Sequence, residues 1–200
     1  MKKLTQHGKL IPSNKNILVK KATEVDIPLV IEFCNDCKKY GFLNNISLSH
    51  IKWDTSQFFI GIDVSLNKII TLAGYHQLLD IDNHSWRVLF RGAQLPGYST
   101  NIVSKNPLKT IIHVGHLLHY QLLEILDIDN DAKCYISTNI ESNKNAPTSY
   151  RLNSLICPLM EKQKILTLEQ ANIELYYTRQ NLWRVNVDEY FRQRSLIYPD

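Results

Sequence analysis

Apolar and polar positions along the chain follow two spacings, which together predict a series of strands and helices. Runs in which apolar residues alternate with polar ones, or form short continuous stretches, predict strands. These runs lie at residues 16–22, 58–64, 68–79, 86–95, 133–139, 164–168 and 172–185. Between residues 27 and 34 the apolar positions recur at i, i+3, i+4 and i+7, which predicts a helix, and Thr23 with Asp26 resembles a capping box at its start.

The longest predicted helix runs from residue 106 to about residue 127. Asn106 is a favourable N-cap, and Pro107 suits the first helical position because no backbone N–H is required there. Apolar residues then repeat at helical spacing on most sides of this helix. Shorter helices are predicted at residues 47–53 and 147–155, and a helical tail begins near Val187.

This order of elements predicts an α/β fold of the α+β kind, with one mixed, mainly antiparallel central sheet of about six or seven strands flanked by helices. A strand, helix, strand unit in the middle of the sheet requires at least one parallel pair joined by a right-handed crossover. The pattern contains no internal repeat, linker or change of composition. We therefore expect residues 1–200 to form a single domain, with a polar leader at 1–15 and a C-terminal tail at 187–200.

Composition narrows the class of protein and its compartment. Hydrophobic residues make up 44% and charged residues 21% of the 200 residues, so a core can form without disulfides or a structural metal. The four cysteines lie in apolar contexts typical of reduced, buried thiols, and neither a secretory signal nor an apolar span of about 20 residues occurs. We expect a cytoplasmic protein with no membrane partner. The formal charge of +4 suits an anionic ligand as well as a nucleic acid.

The segment between Leu95 and Lys109 carries the clearest chemical signal. A strand ends at Pro96-Gly97, a polar loop follows, and the next helix begins at Asn106 between Lys105 and Lys109. Free backbone N–H groups and the positive end of the helix dipole, beside two lysines, favour a phosphate-type anion. A capped helix with solvated lysines is the alternative.

The order of elements as a whole resembles that of the GNAT family of acyl-coenzyme A dependent N-acetyltransferases. Residues 19–28 are similar to the family's first strand and its turn into the first helix, and residues 58–62 and 69–75 are similar to its second and third strands. The resemblance covers roughly residues 16–180. It implies that acetyl-CoA, as co-substrate, binds where the fourth strand (86–95) and the fifth (133–139) splay apart, and that its acetyl group passes directly to an amine.

A further match follows the fifth strand. Residues 143–150 read Asn-x-x-Ala-x-x-x-Tyr, a spacing similar to the family's stretch in which the Asn and the Tyr approach acetyl-CoA. The resemblance implies that Asn143 binds acetyl-CoA and that Tyr150 protonates the departing thiolate. A phenol with a pKa of about 10 can supply a proton to a thiolate whose pKa is about 8.5. A tyrosine packed in the core is the alternative.

The loop expected to bind the pyrophosphate departs from the family pattern. The family has Arg or Gln, two residues, Gly, one residue and then Gly or Ala, whereas this chain has Gly115 inside the helix pattern and no glycine-rich loop. Either the chain is a non-catalytic binding or interaction module, or other residues contact acetyl-CoA. These would be Ser104, Lys105, Asn106, Leu108 and Lys109, together with the backbone of Leu95.

The acceptor and the general base stay open. A small-molecule amine and a peptide amine both fit the resemblance. A base is expected because the attacking amine must be neutral, and by residue type alone the candidates are His76, Asp63, His84 and Glu32.

Two other patterns suggest chemistry and are ranked lower. His113, His116 and His119 lie three residues apart on the longest helix, a spacing that spreads them around the helix, so we expect no metal site. Alternation along the last strand places aromatic and arginine side chains on one face, which suits single-stranded nucleic acid, a wall of the acceptor pocket or a homodimer contact. These residues are Tyr177, Arg179, Asn181 and Trp183.

Overall fold

Eight strands and four helices make up the part of the chain that the computed structural model describes, which is residues 8–11, 14–39, 58–78, 86–95, 98, 108, 112–140, 152–175 and 178–198. The strands are β1 (Lys9–Ile11), β2 (Asn14–Lys21), β3 (Phe58–Asp63), β4 (Lys68–Leu78), β5 (Trp86–Gln94), β6 (Lys133–Asn139), β7 (Leu166–Leu175) and β8 (Thr178–Val185). The helices are α1 (Ile27–Lys39), α2 (Ile112–Ile128), α3 (Cys157–Lys162) and α4 (Val187–Ile197). A 3-10 turn at Glu24–Asp26 precedes α1, and a π-helical turn at Leu152–Ile156 precedes α3.

The strands form one sheet in the order β1-β2-β3-β4-β5-β6-β8-β7. Each strand from β1 to β5 pairs antiparallel with its neighbour, and β8 pairs antiparallel with both β6 and β7. The two groups meet at the parallel pair β5–β6. The predicted mixed, mainly antiparallel sheet is thus confirmed, but the predicted count of six or seven strands is wrong. The additional strand is β1, which lies within the stretch predicted as a polar leader. Three residues are too few to produce a strand pattern in the sequence.

The C-terminal hairpin differs most from its predicted boundaries. Strands were expected at 164–168 and 172–185, whereas β7 continues to Leu175 and β8 starts at Thr178. The register of β7 shifts between Leu168 and Gln170 and again before Ile173, and Asn172 has a positive φ of 57°. These irregularities interrupt the alternation of apolar and polar residues without ending the strand. The hydrophobic pattern therefore placed the turn too early.

Helix α1 begins with the predicted capping interaction. The Asp26 carboxylate accepts hydrogen bonds from the Thr23 N–H and from the Thr23 hydroxyl, both at 2.9 Å. Its other oxygen lies 2.7 Å from Lys20 Nζ. Burial alone would raise the pKa of Asp26, but Lys20 and Thr23 stabilise the carboxylate and lower the pKa below its ordinary value. The start of α1 is therefore fixed to β2 by an ion pair.

Hydrophobic clusters cover both faces of the sheet. Helix α1 packs on one face: of the predicted stripe, Val30 and Cys34 are buried and Ile27 and Ile31 are partly buried. Phe33 and Cys37, which were not part of that stripe, are buried as well. Helix α2 packs on the other face, together with parts of α3 and α4. All four cysteines are buried, as expected, and none forms a disulfide. Burial raises the pKa of Cys37 to about 12. Within the described ranges, no helix is both long and apolar enough to cross a bilayer.

The predicted helix at 106–127 corresponds to α2, which is described from Ile112 to Ile128, and Leu108 also has helical conformation. Of the helix predicted at 147–155, the described portion starts at Leu152 in the π-helical turn and passes directly into α3. The helix predicted at 47–53 lies outside the described residues.

Candidate functional site

Strands β5 and β6 pair only along their first halves. The parallel register runs from Trp86 opposite Lys133 to Leu89 opposite Ile136. Beyond those pairs, β5 continues to Gln94 and β6 continues to its own last residue without further pairing between them. The carboxyl-terminal halves of the two strands therefore diverge and leave a cleft in the sheet.

A β-bulge in β5 lies just past the point where β5 stops pairing with β6. Arg91 and Gly92 together stand opposite the single residue Ala73 of β4, whereas pairing with β6 ends at Leu89. A bulge of this kind bends its strand and increases the local twist. The bend gives a physical reason for the divergence, because β5 stays paired with β4 while it turns away from β6.

The end of β5 is held on the side away from the cleft. The Leu95 N–H donates to the Ile70 carbonyl at 2.8 Å, and the Thr71 hydroxyl donates to the Ala93 carbonyl at 3.0 Å. Because backbone groups of successive strand residues point to opposite sides, the N–H and C=O of Gln94 are directed at the cleft. Leu95, predicted to offer backbone contacts, is 5% exposed and uses its N–H within the sheet.

The last residues of β6 are held by a series of hydrogen-bonded side chains, of which Trp183 and Thr138 are buried and Asn153 is half-buried. The indole N–H of Trp183, on β8, donates to the Thr138 hydroxyl at 2.9 Å, and that hydroxyl donates to Asn153 Oδ1 at 2.5 Å. The Asn153 amide nitrogen in turn donates to the Asn139 carbonyl. These hydrogen bonds join β8, the diverging half of β6 and the π-helical turn on the β6 side of the cleft.

A second polar contact lies at the ends of the strands, on the side of the sheet where the cleft opens. Strands β3 and β5 run in the same direction, and the Tyr98 hydroxyl donates to Asp63 Oδ2 at 3.0 Å. The other Asp63 oxygen accepts from the Ser65 hydroxyl at 2.6 Å and from the Ser65 N–H at 3.0 Å. Hydrogen bonds from Ser65 and Tyr98 lower the pKa of Asp63. Burial acts in the opposite direction, but the hydrogen bonds have the larger effect. A carboxylate held in this way is a weak base, which argues against Asp63 as the general base.

The other residues predicted for the site are divided between described and undescribed parts of the chain. Leu108 is 4% exposed and belongs to the core on the α2 face. Glu32 is exposed on α1. The remaining predicted contacts and candidate bases fall outside the described residues or the described side chains: Ser104, Lys105, Asn106, Lys109, Asn143, Tyr150, His76 and His84.

The histidines of α2 that the structure describes take part in the contact with α4. His116 Nδ1 accepts from Arg194 Nη2 at 3.0 Å, since a guanidinium can only donate. The His116 ring centroid lies 5.0 Å from that of Tyr198, and the His119 centroid lies 5.5 Å from that of Phe191. No cluster of three or more potential metal ligands occurs in the described portion of the chain.

The face predicted to stack nucleic-acid bases does not form as expected. Trp183 is 3% exposed, and its indole N–H is bonded to Thr138 inside the core. A base cannot stack on a ring that is enclosed in this way. The alternation failed as a guide because two successive residues, which point to opposite faces of the strand, are both buried: Leu182 and Trp183 are 1% and 3% exposed. Arg179 is exposed, and Tyr177 lies outside the described residues.

No protein-family model matches the sequence, and no curated protein sequence matches it. Solved structures match its fold. A chain of the NatC complex bound to Gag peptide and CoA is similar over 85% of this chain and 98% of its own, with a TM-score of 0.56 and 12% identity. Naa50 of Arabidopsis thaliana, in complex with the bisubstrate analogue CoA-Ac-MVNAL, is similar over 84% of this chain and 97% of its own, with a TM-score of 0.50 and 8% identity.

A third similar structure is an acetyl transferase from Salmonella typhimurium that modifies the N-terminal serine of 50S ribosomal subunit protein L7/L12. It covers 88% of this chain and 97% of its own, with a TM-score of 0.50 and 11% identity. The split between β5 and β6, the helix that crosses between them and the agreement over most of each chain confirm the predicted resemblance at the level of architecture. The chain has the GNAT fold.

Proposed function

We propose that the protein is an N-acetyltransferase that moves an acetyl group from acetyl-CoA to an amine. The observation that carries the proposal is the cleft where β5 and β6 stop pairing after Leu89 and Ile136. The backbone groups of Gln94 on one side are directed into this cleft, and the carbonyl of Ser137 faces it from the other. A ligand with an extended chain that contains amide groups, such as the pantetheine arm of acetyl-CoA, could bind there much as an added strand does.

The proposed reaction is a direct transfer. The amine nitrogen attacks the thioester carbonyl carbon, a C–N bond forms, the C–S bond breaks, and the sulfur leaves as a thiolate. The thiolate takes a proton from Tyr150, and the amine loses one to a base or to water. Ser104, Lys105, Asn106 and Lys109 would contact the phosphates, with Asn143 and the backbone of Leu95 as further contacts, whereas Leu108 is buried in the core. The roles of Tyr150 and Asn143 rest on the sequence resemblance, and the phosphate contacts rest on the local pattern of a helix start beside two lysines.

A peptide amine is the acceptor class that the comparisons favour. The NatC structure contains a Gag peptide, the Naa50 structure contains a peptide-like bisubstrate analogue, and the Salmonella enzyme modifies a protein N-terminus. A small-molecule amine is the alternative. It is supported by N-acetylglutamate synthase from Neisseria gonorrhoeae, which is similar over 85% of this chain but only 35% of its own, with a TM-score of 0.51 and 13% identity.

Calorimetric titration tests acetyl-CoA binding, with 3′-phosphoadenosine 5′-diphosphate as the matched ligand that lacks only the acetylated pantetheine arm. We expect acetyl-CoA to bind at least tenfold more tightly than this nucleotide, because only acetyl-CoA occupies the cleft. Equal affinity for the two ligands would mean that the cleft contributes nothing. No binding of acetyl-CoA at millimolar concentration would favour the rival function, a non-catalytic interaction module with the same fold.

Transfer itself is measured by release of the CoA thiol. The acceptors are a panel of short peptides with free N-termini, matched peptides whose N-termini are already acetylated, and small primary amines. We expect thiol release with free peptides and a mass increase of one acetyl group on the peptide. Release only with small amines would retain the transferase and overturn the peptide acceptor.

A further inference from the structure

The carbonyl of Asn139 is directed at the cleft. The Ile140 N–H donates to the Arg179 carbonyl at 3.0 Å, so the pair Ile140–Arg179 is hydrogen-bonded across β6 and β8. Asn139 stands opposite Gln180, one position earlier in the same register. Since hydrogen-bonded and non-hydrogen-bonded pairs alternate in an antiparallel ladder, the backbone groups of Asn139 point away from β8 and towards β5.

A continuous parallel ladder would satisfy this carbonyl with an N–H of β5. The structure instead satisfies it with the side-chain amide of Asn153, which belongs to the π-helical turn. An asparagine amide has the same donor chemistry as a backbone N–H. Asn153 therefore occupies the hydrogen-bonding position that the neighbouring strand would take if the cleft were closed.

The hydrogen bonds made by Trp183 and Thr138 fix the orientation of the Asn153 amide. The Trp183 indole can only donate, so the Thr138 oxygen accepts from it, and the single hydroxyl proton of Thr138 goes to Asn153 Oδ1. With its oxygen on Thr138, the amide presents its nitrogen to the Asn139 carbonyl. Thr138 and Trp183 are 2% and 3% exposed, so water cannot readily replace a missing partner in this chain.

We propose that Asn153 is a positioning residue that ends the β5–β6 ladder and keeps the cleft open in the absence of ligand, with Thr138 and Trp183 holding it in place. Without these hydrogen bonds, the diverging half of β6 pairs with β5. Acetyl-CoA then binds only the fraction of molecules whose cleft is open, and its apparent affinity falls by that fraction. The consequence for acetyl-CoA rests on the proposed function, whereas the state of the ladder does not.

The first test compares Thr138→Val, which removes the hydroxyl at similar size, with Thr138→Ser, which keeps it. Amide hydrogen exchange of the ligand-free proteins is followed at Gln94, whose N–H faces the cleft. We expect slower exchange at this amide in Thr138→Val and unchanged exchange in Thr138→Ser. Local loosening, the result of a merely structural role, would make exchange faster and would overturn the proposal, as would unchanged exchange in Thr138→Val.

The second test measures acetyl-CoA binding to the same proteins. We expect Thr138→Val to raise the Kd about tenfold, corresponding to an open fraction near one tenth, with kcat at saturating acetyl-CoA within twofold of the original. Thr138→Ser should stay within twofold in both quantities. An unchanged Kd in Thr138→Val would overturn the proposal.

Asn153→Ala and Trp183→Phe serve as second variants should Thr138→Val fail to fold. Each removes a different hydrogen bond of the series that joins Trp183, Thr138, Asn153 and Asn139, and each should slow exchange at Gln94. If the original protein binds no acetyl-CoA, the proposed function fails while the exchange experiment still decides whether Asn153 holds the ladder open. If it binds acetyl-CoA and exchange at Gln94 is unchanged in the variants, only the role of Asn153 fails.

Discussion

The Tyr98 hydroxyl donates to Asp63 at 3.0 Å and thereby connects the segment after β5 to the end of β3, 35 residues earlier. The Tyr98 ring also packs against the hydrophobic clusters on both faces of the sheet. Burial and the neighbouring carboxylate of Asp63 raise the pKa of Tyr98, so the phenol stays a proton donor to that carboxylate. One residue thus fixes the direction in which the chain leaves the open end of the cleft.

Tyr98→Phe removes this hydrogen bond and keeps the ring. We expect the free energy of unfolding to fall by about 1.5 kcal/mol, a usual value for one hydrogen bond to a charged group, as measured by urea denaturation at pH 7. Ser65→Ala is the matched control, because it removes the hydroxyl bond to the same carboxylate without affecting the segment after β5. Unchanged stability in Tyr98→Phe would contradict a tethering role.

Gly61 is required where β3 approaches β4. A Cβ added at Gly61 would lie 2.5 Å from Thr71 Cγ2, and Thr71 cannot easily turn because it is fully buried and its hydroxyl is bonded to the Ala93 carbonyl. We expect Gly61→Ala to lower the melting temperature, with a loss of about 1 to 3 kcal/mol from overpacking.

Thr71→Ser provides the control for this prediction, since it removes the methyl group and keeps the hydroxyl. Combined with Thr71→Ser, Gly61→Ala should cost clearly less than it does alone, and thermal unfolding of the single and double variants measures the difference. Additive losses in the double variant would show that the methyl contact is not the cause.

The ion pair at the start of α1 predicts a dependence of stability on pH. The pKa of Asp26 is lowered in the folded protein, so its contribution is present above the pKa of the unfolded chain, about 3.9, and is lost as the pH falls through the lower folded pKa. We expect Asp26→Asn to cost about 2 kcal/mol at pH 7. The gap between the two proteins should narrow as the pH falls below 4, in urea titrations at a series of pH values. A constant gap would mean that the charge of Asp26 contributes nothing.

Tyr150→Phe addresses the proton donor of the proposed reaction. If Tyr150 protonates the leaving thiolate, turnover should fall by about 100-fold or more, while the Kd for acetyl-CoA, measured by calorimetry, changes little. Equal turnover in the variant would remove Tyr150 from the mechanism. A large change in Kd with unchanged kcat would instead indicate a binding role.

Most of the sheet could be predicted from the sequence because its strands are bounded by clear turns. The stretch 133–139 was predicted with the bounds that β6 has, and Trp86 was predicted as the first residue of β5. Register could not be predicted in the same way, because a bulge changes pairing without changing the local hydrophobic pattern. Gly92, an isolated glycine within a strand, was the signal for the bulge in β5.

The residues at the lips of the cleft depend on that register and on long-range contacts. Gln94 was missed because only the pairing of Leu95 with Ile70 shows which way its backbone points. Asn153 was missed because its hydrogen-bond partners, Thr138 and Asn139, lie 15 and 14 positions earlier in the sequence. Trp183, which donates to Thr138, lies 45 positions after that threonine. The predicted anion contacts, by comparison, came from a local pattern around Asn106, which the sequence displays directly.

The short strand β1 protects one edge of the sheet. It pairs with β2, which would otherwise present a row of backbone donors and acceptors to solvent. At the opposite edge, the register of β7 is already irregular at two points. In a chain shortened to begin at residue 12, β2 would become a regular, unprotected edge strand that could pair with the same strand of another copy. Such a chain should form soluble aggregates at concentrations where the 200-residue chain remains monodisperse in light scattering.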